Sequence, residues 1–202
     1  MPRLADHDER RHQITDAARR VVARGGLPAA TFQSVAAEAG VSVRLVQYYF
    51  GSKREFLLAT HRAVVMDAAE RFAGRLADLG EGAAPHDVVR GVLMELLPTD
   101  PARREDAIVL EAFHNAALTG SEASAGDLLG APRALVDLVA GQVRRARSTA
   151  SGSAEATDAE TDAWIVVLAA SGLTQAMLID AGFAADADTL VDRILNRFLP
   201  RH

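Results

Sequence analysis

The segment Thr31 to Phe50 constrains the fold more than any other part of the chain, because it predicts two short helices separated by a sharp turn. Thr31 and Ser42 are residue types that cap helix N-termini, and each precedes a short helical stretch, Phe32–Ala39 and Val43–Phe50. Gly40 lies where the first helix must end, and it accepts backbone angles that other residues resist. Such a unit is either an ordinary pair of packed helices or a helix-turn-helix, which presents its second helix to the major groove of DNA.

The composition of the rest of the chain favours an all-α protein. Alanine occupies 40 of the 202 positions, whereas aromatic residues, which strands prefer, make up only 5%. The absence of cysteine excludes a disulfide scaffold, a zinc finger and a cysteine nucleophile. A chain of this length with 49% hydrophobic residues is long enough to bury a core in one domain or two small ones.

Apolar periodicity and glycine-containing breaks predict about nine helices. Gly25 and Gly26 are expected to stop the first of them, and the eighth is apolar on nearly every side, so its neighbours must cover more than one face. Two segments rich in glycine, serine and alanine, 120–130 and 148–156, predict a loop and a flexible linker. Besides the two short helices, the predicted helices are Arg11–Arg24, Lys53 to about Leu79, a fifth whose apolar residues run from Val88 to Leu97, roughly Ala102–Leu118, a seventh that contains Leu135 and ends near Arg147, about Asp158–Ala181, and Asp188–Leu199.

Charge and hydropathy indicate a cytoplasmic protein with a basic N-terminal part. Residues 1–9 are polar and lack the apolar stretch of a signal peptide. The longest uncharged run, Ala163–Ile179, has 17 residues, fewer than the ~20 that a membrane span needs, and predicts a buried helix. Residues 1–62 carry a net charge of +4 and the remainder −9. This charge asymmetry is typical of a protein whose N-terminal part binds a polyanion such as DNA, while the acidic remainder of the chain is repelled by it.

The string TFQSVAAEAGVSVRLVQYYFGSKREFLL, residues 31–58, closely resembles the DNA-binding signature of the tetracycline-repressor (TetR) family of bacterial transcription regulators. The resemblance covers roughly residues 10–62, and turn, spacing and following helix all agree. The rest of the chain resembles the family only in length and helix count. The residues that bear the resemblance are Thr31, Val35, Ala36, Ala39, Gly40, Val41, Ser42, Val46, Tyr48, Tyr49, Phe50, Ser52, Lys53 and Leu57.

This resemblance implies an N-terminal three-helix DNA-binding domain, residues 1–52, and a C-terminal domain, residues 53–202, that dimerises and binds a small inducer. The fourth helix, about 53–79, would connect the two. The implied function is a repressor that binds a palindromic operator as a dimer and is released by a small, largely apolar organic ligand. No catalytic residue, metal or cofactor is implied, so the protein is predicted not to be an enzyme.

The resemblance also assigns the residues that contact DNA. Carried over by position, Val43, Arg44, Gln47 and Tyr48 would face base edges or their rim, and Thr31, Tyr49 and Lys53 would touch phosphates. Gln33 and Ser42 complete this set. Gln47 departs from the aromatic residue that is usual there, and glutamine can read adenine through its N6 and N7 atoms.

The chemistry of these residues supports the same roles but leaves alternatives open. Lys53 is the only lysine, and its position at a helix N-terminus opposes the helix dipole unless an anion is near. A phosphate would resolve this conflict, although an ordinary solvated lysine fits too. Arg44 suits bidentate guanine readout or a backbone contact. Of the adjacent residues Tyr48 and Tyr49, only one can point fully inward.

Helices eight and nine are the predicted homodimer interface. The ninth carries a broad apolar stripe, and the small residues Ala169 to Gly172 of the eighth permit close helix approach. The same pattern would also fit the interior of a monomer. For the ligand, residues on inward faces that can do more than pack are Met94, Phe113, His114, Trp164, Gln175 and Met177. His114 is either a ligand contact or a hydrogen-bonded core residue.

Two alternative functions have some support in the sequence. Glu111 and His114 match the Glu-x-x-His spacing of di-iron helical bundles, but such sites need a second copy, and Glu9 with His12 lies among arginines in a polar segment. The sequence contains no nucleotide-binding or hydrolase motif. A ligand-independent activator on the same fold would have the same sequence features as a repressor.

Overall fold

The computed structural model describes residues 2–80, 82–120, 126, 130–150 and 156–199, and in these ranges the chain is all-α with nine α-helices and no strand. The all-α prediction is therefore confirmed. The helices are α1 (Pro2–Ala29), α2 (Phe32–Ala39), α3 (Val43–Phe50), α4 (Lys53–Leu79), α5 (Pro85–Leu96), α6 (Pro101–Thr119), α7 (Gly130–Ala150), α8 (Ala156–Ile179) and α9 (Ala187–Phe198), with a 3-10 helix, Ala181–Asp186, before α9.

Local hydrogen bonds set the ends of the short helices. The Thr31 hydroxyl accepts from the Ser34 amide at 3.1 Å, and the Ser34 hydroxyl accepts from the Thr31 amide at 2.9 Å, which is a reciprocal capping box. Gly40 ends α2 with φ 67° and ψ 31°, the left-handed conformation that glycine favours. The Ser42 hydroxyl accepts from the Leu45 amide at 3.2 Å and begins α3.

The helix boundaries in α1 and α7 differ most from the predictions. The first helix begins at Pro2 rather than Arg11, because the polar first turns are helical without an apolar periodicity that would reveal them. Gly25 is helical, and the interruption lies at Gly26, whose φ is 70°. Helix α7 continues to Ala150, past the predicted start of the linker at Ser148. Most of the predicted loop, 121–125 and 127–129, and the centre of the linker, 151–155, lie outside the described residues.

The chain divides into two compact units. The first comprises Met1–Asp67 and Ile108–Leu128, and the second comprises Ala68–Ala107 and Leu129–His202. Both α4 and α6 therefore contribute residues to each unit. Packing thus divides the chain differently from the predicted functional boundary after residue 52, which stays a prediction.

The first unit has a core in which the helix-turn-helix packs on α1, α4 and α6. Its largest fully buried side chains include Ile14, Phe56, Leu57 and Phe113. The rings of His61 on α4 and Phe113 on α6 meet edge to face, with centroids 5.0 Å apart. These contacts join helices that are distant in sequence, so they fix the platform from which α3 projects.

The second unit has its own core, formed by α5, α7, α8 and α9, and an ionic cluster of buried and partly buried groups. The buried Glu95 carboxylate accepts from Arg75 at 2.9 Å and from Arg103 at 3.0 Å, which ties α4, α5 and α6 together. Arg104 donates to the carbonyl of Leu178 at 2.8 Å and so satisfies the C-terminal end of α8. In both cases a charged side chain has a hydrogen-bond partner that compensates the cost of removing it from water.

Candidate nucleic-acid interface

The exposed face of α3 carries three of the predicted DNA contacts. Arg44, Gln47 and Tyr48 are spaced i, i+3 and i+4, so they share one side of this two-turn helix, and all three are exposed. Tyr48 is 76% exposed, which is unusual for so large an aromatic side chain. Val46 and Phe50, on the opposite side, are buried in the core of the first unit. Helix α3 therefore presents a guanidinium, an amide and a phenol to solvent from a packed base.

The remaining predicted contacts on α3 lie at the edge of this face. Val43 and Tyr49 are partly buried and pack against the core, while Ser42 is exposed at the N-cap. The rings of Tyr48 and Tyr49 are perpendicular, with centroids 5.4 Å apart. Tyr48 is exposed and Tyr49 is partly buried, because adjacent residues of a helix point in different directions.

Three further predicted contacts lie on the neighbouring helices. Thr31 and Gln33 belong to the start of α2, where Thr31 is the N-cap and Gln33 is exposed. Lys53 is partly buried in the first turn of α4. All nine predicted positions thus fall in a single unit, on the turn and the helix ends around α3.

An ion-pair network joins α1 to α2. Arg20 donates to the Glu38 carboxylate at 2.7 Å, and Arg24 donates to its other oxygen. These two hydrogen bonds, first that from Arg24, hold the pKa of Glu38 below its ordinary value of 4.5. The network keeps α2 attached to α1 through charges outside the core.

Sequence reasoning missed two contacts that α1 makes with the helix-turn-helix. Gln13 Nε2 donates to the carbonyl of Ala39 at 2.8 Å, and Arg11 Nη1 donates to the carbonyl of Tyr49 at 3.0 Å. The partners lie 26 and 38 positions apart in the chain. No periodicity signals such pairs, because only the packing of α1 across the unit brings them together.

Comparison with known proteins agrees with this geometry. The family profile described as "Bacterial regulatory proteins, tetR family" matches residues 14–60, which span the helix-turn-helix and the start of α4. The match covers this N-terminal part of the chain, about a quarter of its length. The resemblance seen in the sequence is therefore confirmed.

Individual relatives extend the likeness to different degrees. The transcriptional regulator PksA of Bacillus subtilis is 31% identical over 114 residues, which are 56% of this chain and 54% of PksA. The regulator BetI of Burkholderia mallei is 43% identical over 67 residues, 33% of this chain and 34% of BetI. The matched segments thus span about half or less of these relatives. A Saccharomonospora viridis protein solved in complex with choline has the same fold over 96% of this chain and 100% of its own, with a TM-score of 0.81 and 22% identity.

The predicted ligand contacts are divided between the two units. Phe113 and His114 belong to the first unit, and Met94, Trp164, Gln175 and Met177 to the second. The predicted inward orientation is wrong for His114 and Gln175, which are both exposed, because neither faces the core of its unit. The His114 ring lies 3.5 Å from the Glu111 carboxylate on the same helix. Phe113 and Met177 are fully buried, whereas Met94 and Trp164 are partly buried against the core of the second unit.

A groove in the second unit has a volume of about 400 Å³ and a mainly apolar lining. None of the six predicted ligand contacts lines it. Its lining residues come from α4, the following turn, α5 and α7, and they are Leu76, Ala77, Gly80, Ala83, Val88, Leu138, Gln142 and Arg145.

Helix α8 has a buried face and an exposed apolar face. Ala163, Val166, Ala170 and Met177 are buried in the second core, while Ile165, Leu168 and Ile179 are exposed. In the described part of the chain this is the one helix long and apolar enough to cross a membrane, but a third of its most apolar window is buried inside the unit. The prediction of a buried helix is thus wrong for one side, because its own unit covers only the other.

The described residues contain no group of three histidine, aspartate or glutamate side chains that would hold a metal ion. Glu111 and His114 of the di-iron spacing stand without a third acidic or imidazole group among those residues. The relatives of the chain are transcriptional regulators.

Proposed function

We propose that this protein is a cytoplasmic transcriptional repressor that binds a palindromic operator as a homodimer and is released by a small organic ligand. The observation that carries the proposal is the exposed face of α3, on which Arg44, Gln47 and Tyr48 stand together. An α-helix fits the major groove of B-DNA, where each base pair presents a distinct pattern of donors and acceptors. The family membership of residues 14–60 supports the same role.

The side chains of this face divide into two kinds of contact. Arg44 has the fork that pairs with guanine O6 and N7, and Gln47 has the amide that pairs with adenine N6 and N7. Val43 and Tyr48 complete the surface that meets base edges, with Ser42 and Gln33 at its rim. Thr31, Tyr49 and Lys53 contact phosphates and so set the register of the helix on the duplex.

The homodimer forms through α8 and α9. Exposed apolar side chains on α8 need a cover, and a second copy of the same face supplies one. Gly172 has open space around it, which permits close approach of another helix. The hydroxyls of Ser171 and Thr174 already donate to carbonyls of their own helix at 3.0 Å. They can therefore be buried in an interface without losing a hydrogen bond.

Ligand control is a population shift between two dimer states. A ligand that binds the state with misplaced DNA-binding units more tightly lowers operator affinity by its differential affinity for the two states. The fold match to a protein solved in complex with choline supports a small organic ligand. Within the second unit, Met94 and Trp164 keep partly accessible side chains and are the best placed of the predicted contacts.

Selection from a random duplex library tests the DNA-binding part. The dimer is expected to enrich a palindrome with half-sites about 34 Å, or one helical turn, apart. The enriched duplex placed downstream of a promoter should reduce reporter expression when the protein is present. Enrichment of no sequence contradicts operator binding, and increased expression identifies an activator. A screen of small organic compounds against the bound complex then tests release.

A further inference from the structure

The C-terminal end of α3 is held by a residue of another helix. Arg11 on α1 donates through Nη1 to the carbonyl of Tyr49 at 3.0 Å. Its guanidinium carbon also lies 4.6 Å from the centre of the Phe50 ring. Arg11 therefore contacts both of the last two residues of α3, the backbone carbonyl of Tyr49 and the side-chain ring of Phe50. A cation at a helix C-terminus also interacts favourably with the helix dipole.

Besides this contact, α3 is attached by two buried side chains and by edge contacts of Val43 and Tyr49, whose ring centroid lies 4.7 Å from that of His7 on α1. Helix α3 has eight residues, and Val46 and Phe50 are its only side chains buried in the core. Its remaining large side chains face solvent or lie at the edge, since the same surface must meet DNA. Groups that recognise a partner must be held to about 0.5 Å and 10–20° for full selectivity. A two-turn helix with two buried anchors needs an additional contact to reach that precision.

Helix α1 makes an equivalent contact with α2, and this provides an internal comparison. Gln13 Nε2 donates to the carbonyl of Ala39, the last residue of α2, at 2.8 Å, and Arg10 donates to Gln13 Oε1 at 2.6 Å. Arg11 and Gln13 thus satisfy C-terminal carbonyls of both helices of the motif. Only Arg11 acts on the helix whose side chains read bases.

We propose that Arg11 is a positioning residue for sequence readout: by fixing the C-terminal end of α3 through the Tyr49 carbonyl and the Phe50 ring, it sets base discrimination rather than general DNA affinity. The proposal rests on the DNA-binding function proposed above. The Arg11 guanidinium is engaged with α3 itself, so its role in this proposal is to hold the helix and not to read a base. Without the Arg11 side chain, Arg44 and Gln47 keep their functional groups, but their orientation varies because the C-terminal end of α3 is less firmly held.

The test compares R11Q, R11K and the control Q13A as full-length proteins. Each is titrated with the duplex that the wild type selects, about 25 base pairs long to hold two half-sites, and with a scrambled duplex of equal length. R11Q should bind the selected duplex about tenfold more weakly, because one charge-assisted hydrogen bond is lost. Its affinity for the scrambled duplex should change less than about twofold, and the dependence on salt should match the wild type. R11K should recover most of the loss, and Q13A should retain wild-type discrimination.

Two outcomes overturn the proposal. An equal loss of R11Q on both duplexes, with a salt slope smaller by about 0.9, makes Arg11 a phosphate contact. An equal loss of discrimination in Q13A assigns the effect to general support of the fold.

Amide hydrogen exchange without DNA separates this inference from the proposed function. In R11Q the amides of the last turn of α3, 47–51, should exchange about tenfold faster than in Q13A, since local opening reports local stability. Unchanged exchange overturns the inference even if the wild type selects an operator. If the wild type selects no duplex, operator binding fails, and exchange alone then decides whether Arg11 holds α3.

Discussion

Replacement of Leu168 by glutamate should dissociate the proposed homodimer without unfolding the protomer. Leu168 lies on the exposed apolar face of α8 and is 62% exposed in the protomer. Full burial of a leucine side chain contributes about 1.5–3 kcal/mol, so covering the exposed fraction of Leu168 contributes about 1–2 kcal/mol. A symmetric interface contains this residue twice, which gives about 2–4 kcal/mol of association free energy. Burying two carboxylates instead adds a further cost.

A loss of about 2–4 kcal/mol of association free energy raises the dimer dissociation constant by about 30-fold to 1000-fold, because about 1.4 kcal/mol is a factor of ten. Sedimentation velocity over a dilution series measures it, and far-ultraviolet circular dichroism verifies that the helices remain. Leu118→Glu is the matched control, because Leu118 is 85% exposed at the end of α6 and lies outside the proposed interface. A Leu168→Glu protein that dimerises as tightly as the control would refute the assignment of this face.

Four other substitutions test the candidate site, the core and the Glu38 ion pairs. Arg44→Ala should weaken binding to the selected operator by about 1–3 kcal/mol and relax the preference at one base pair, whereas Lys53→Ala should weaken binding to all sequences alike. If Arg44→Ala loses the same affinity for selected and scrambled duplexes in binding titrations, Arg44 does not read a base. Phe113→Ala should lower the free energy of unfolding by about 3–5 kcal/mol in urea titrations, since Phe113 is fully buried against His61, and a loss below 1 kcal/mol contradicts that packing. The pKa of Glu38 is lowered in the folded state, so its stabilising contribution is present above pH 4.5 and is lost as the pH falls towards the folded pKa. Melting temperatures of the wild type and Glu38→Gln should therefore converge as the pH falls below 4.5, and a constant difference contradicts the ion pair.

The local architecture of the helix-turn-helix follows from the sequence. The bounds of α2, α3 and α4 agree with those predicted, because caps at Thr31 and Ser42 and the glycine at position 40 act over three or four residues. The exposure of Arg44 and Gln47 follows from the same short-range periodicity, once Val46 is placed inward. The start of α1 did not follow, since a polar helix carries no apolar pattern.

The tertiary structure decided which faces are covered and which distant residues meet. Periodicity shows that α8 is apolar around its circumference, but the chain's own packing determines that Ile165 and Leu168 stay exposed. His114 has apolar neighbours in sequence, yet it faces solvent because α6 turns Phe113 to the core instead. The grip of Arg11 on α3 joins residues 38 positions apart. Helix caps and helical periodicity depend on residues only three or four positions apart, so the sequence alone predicts them. Burial and long-range hydrogen bonds depend on where every other helix lies, so only the tertiary structure determines them.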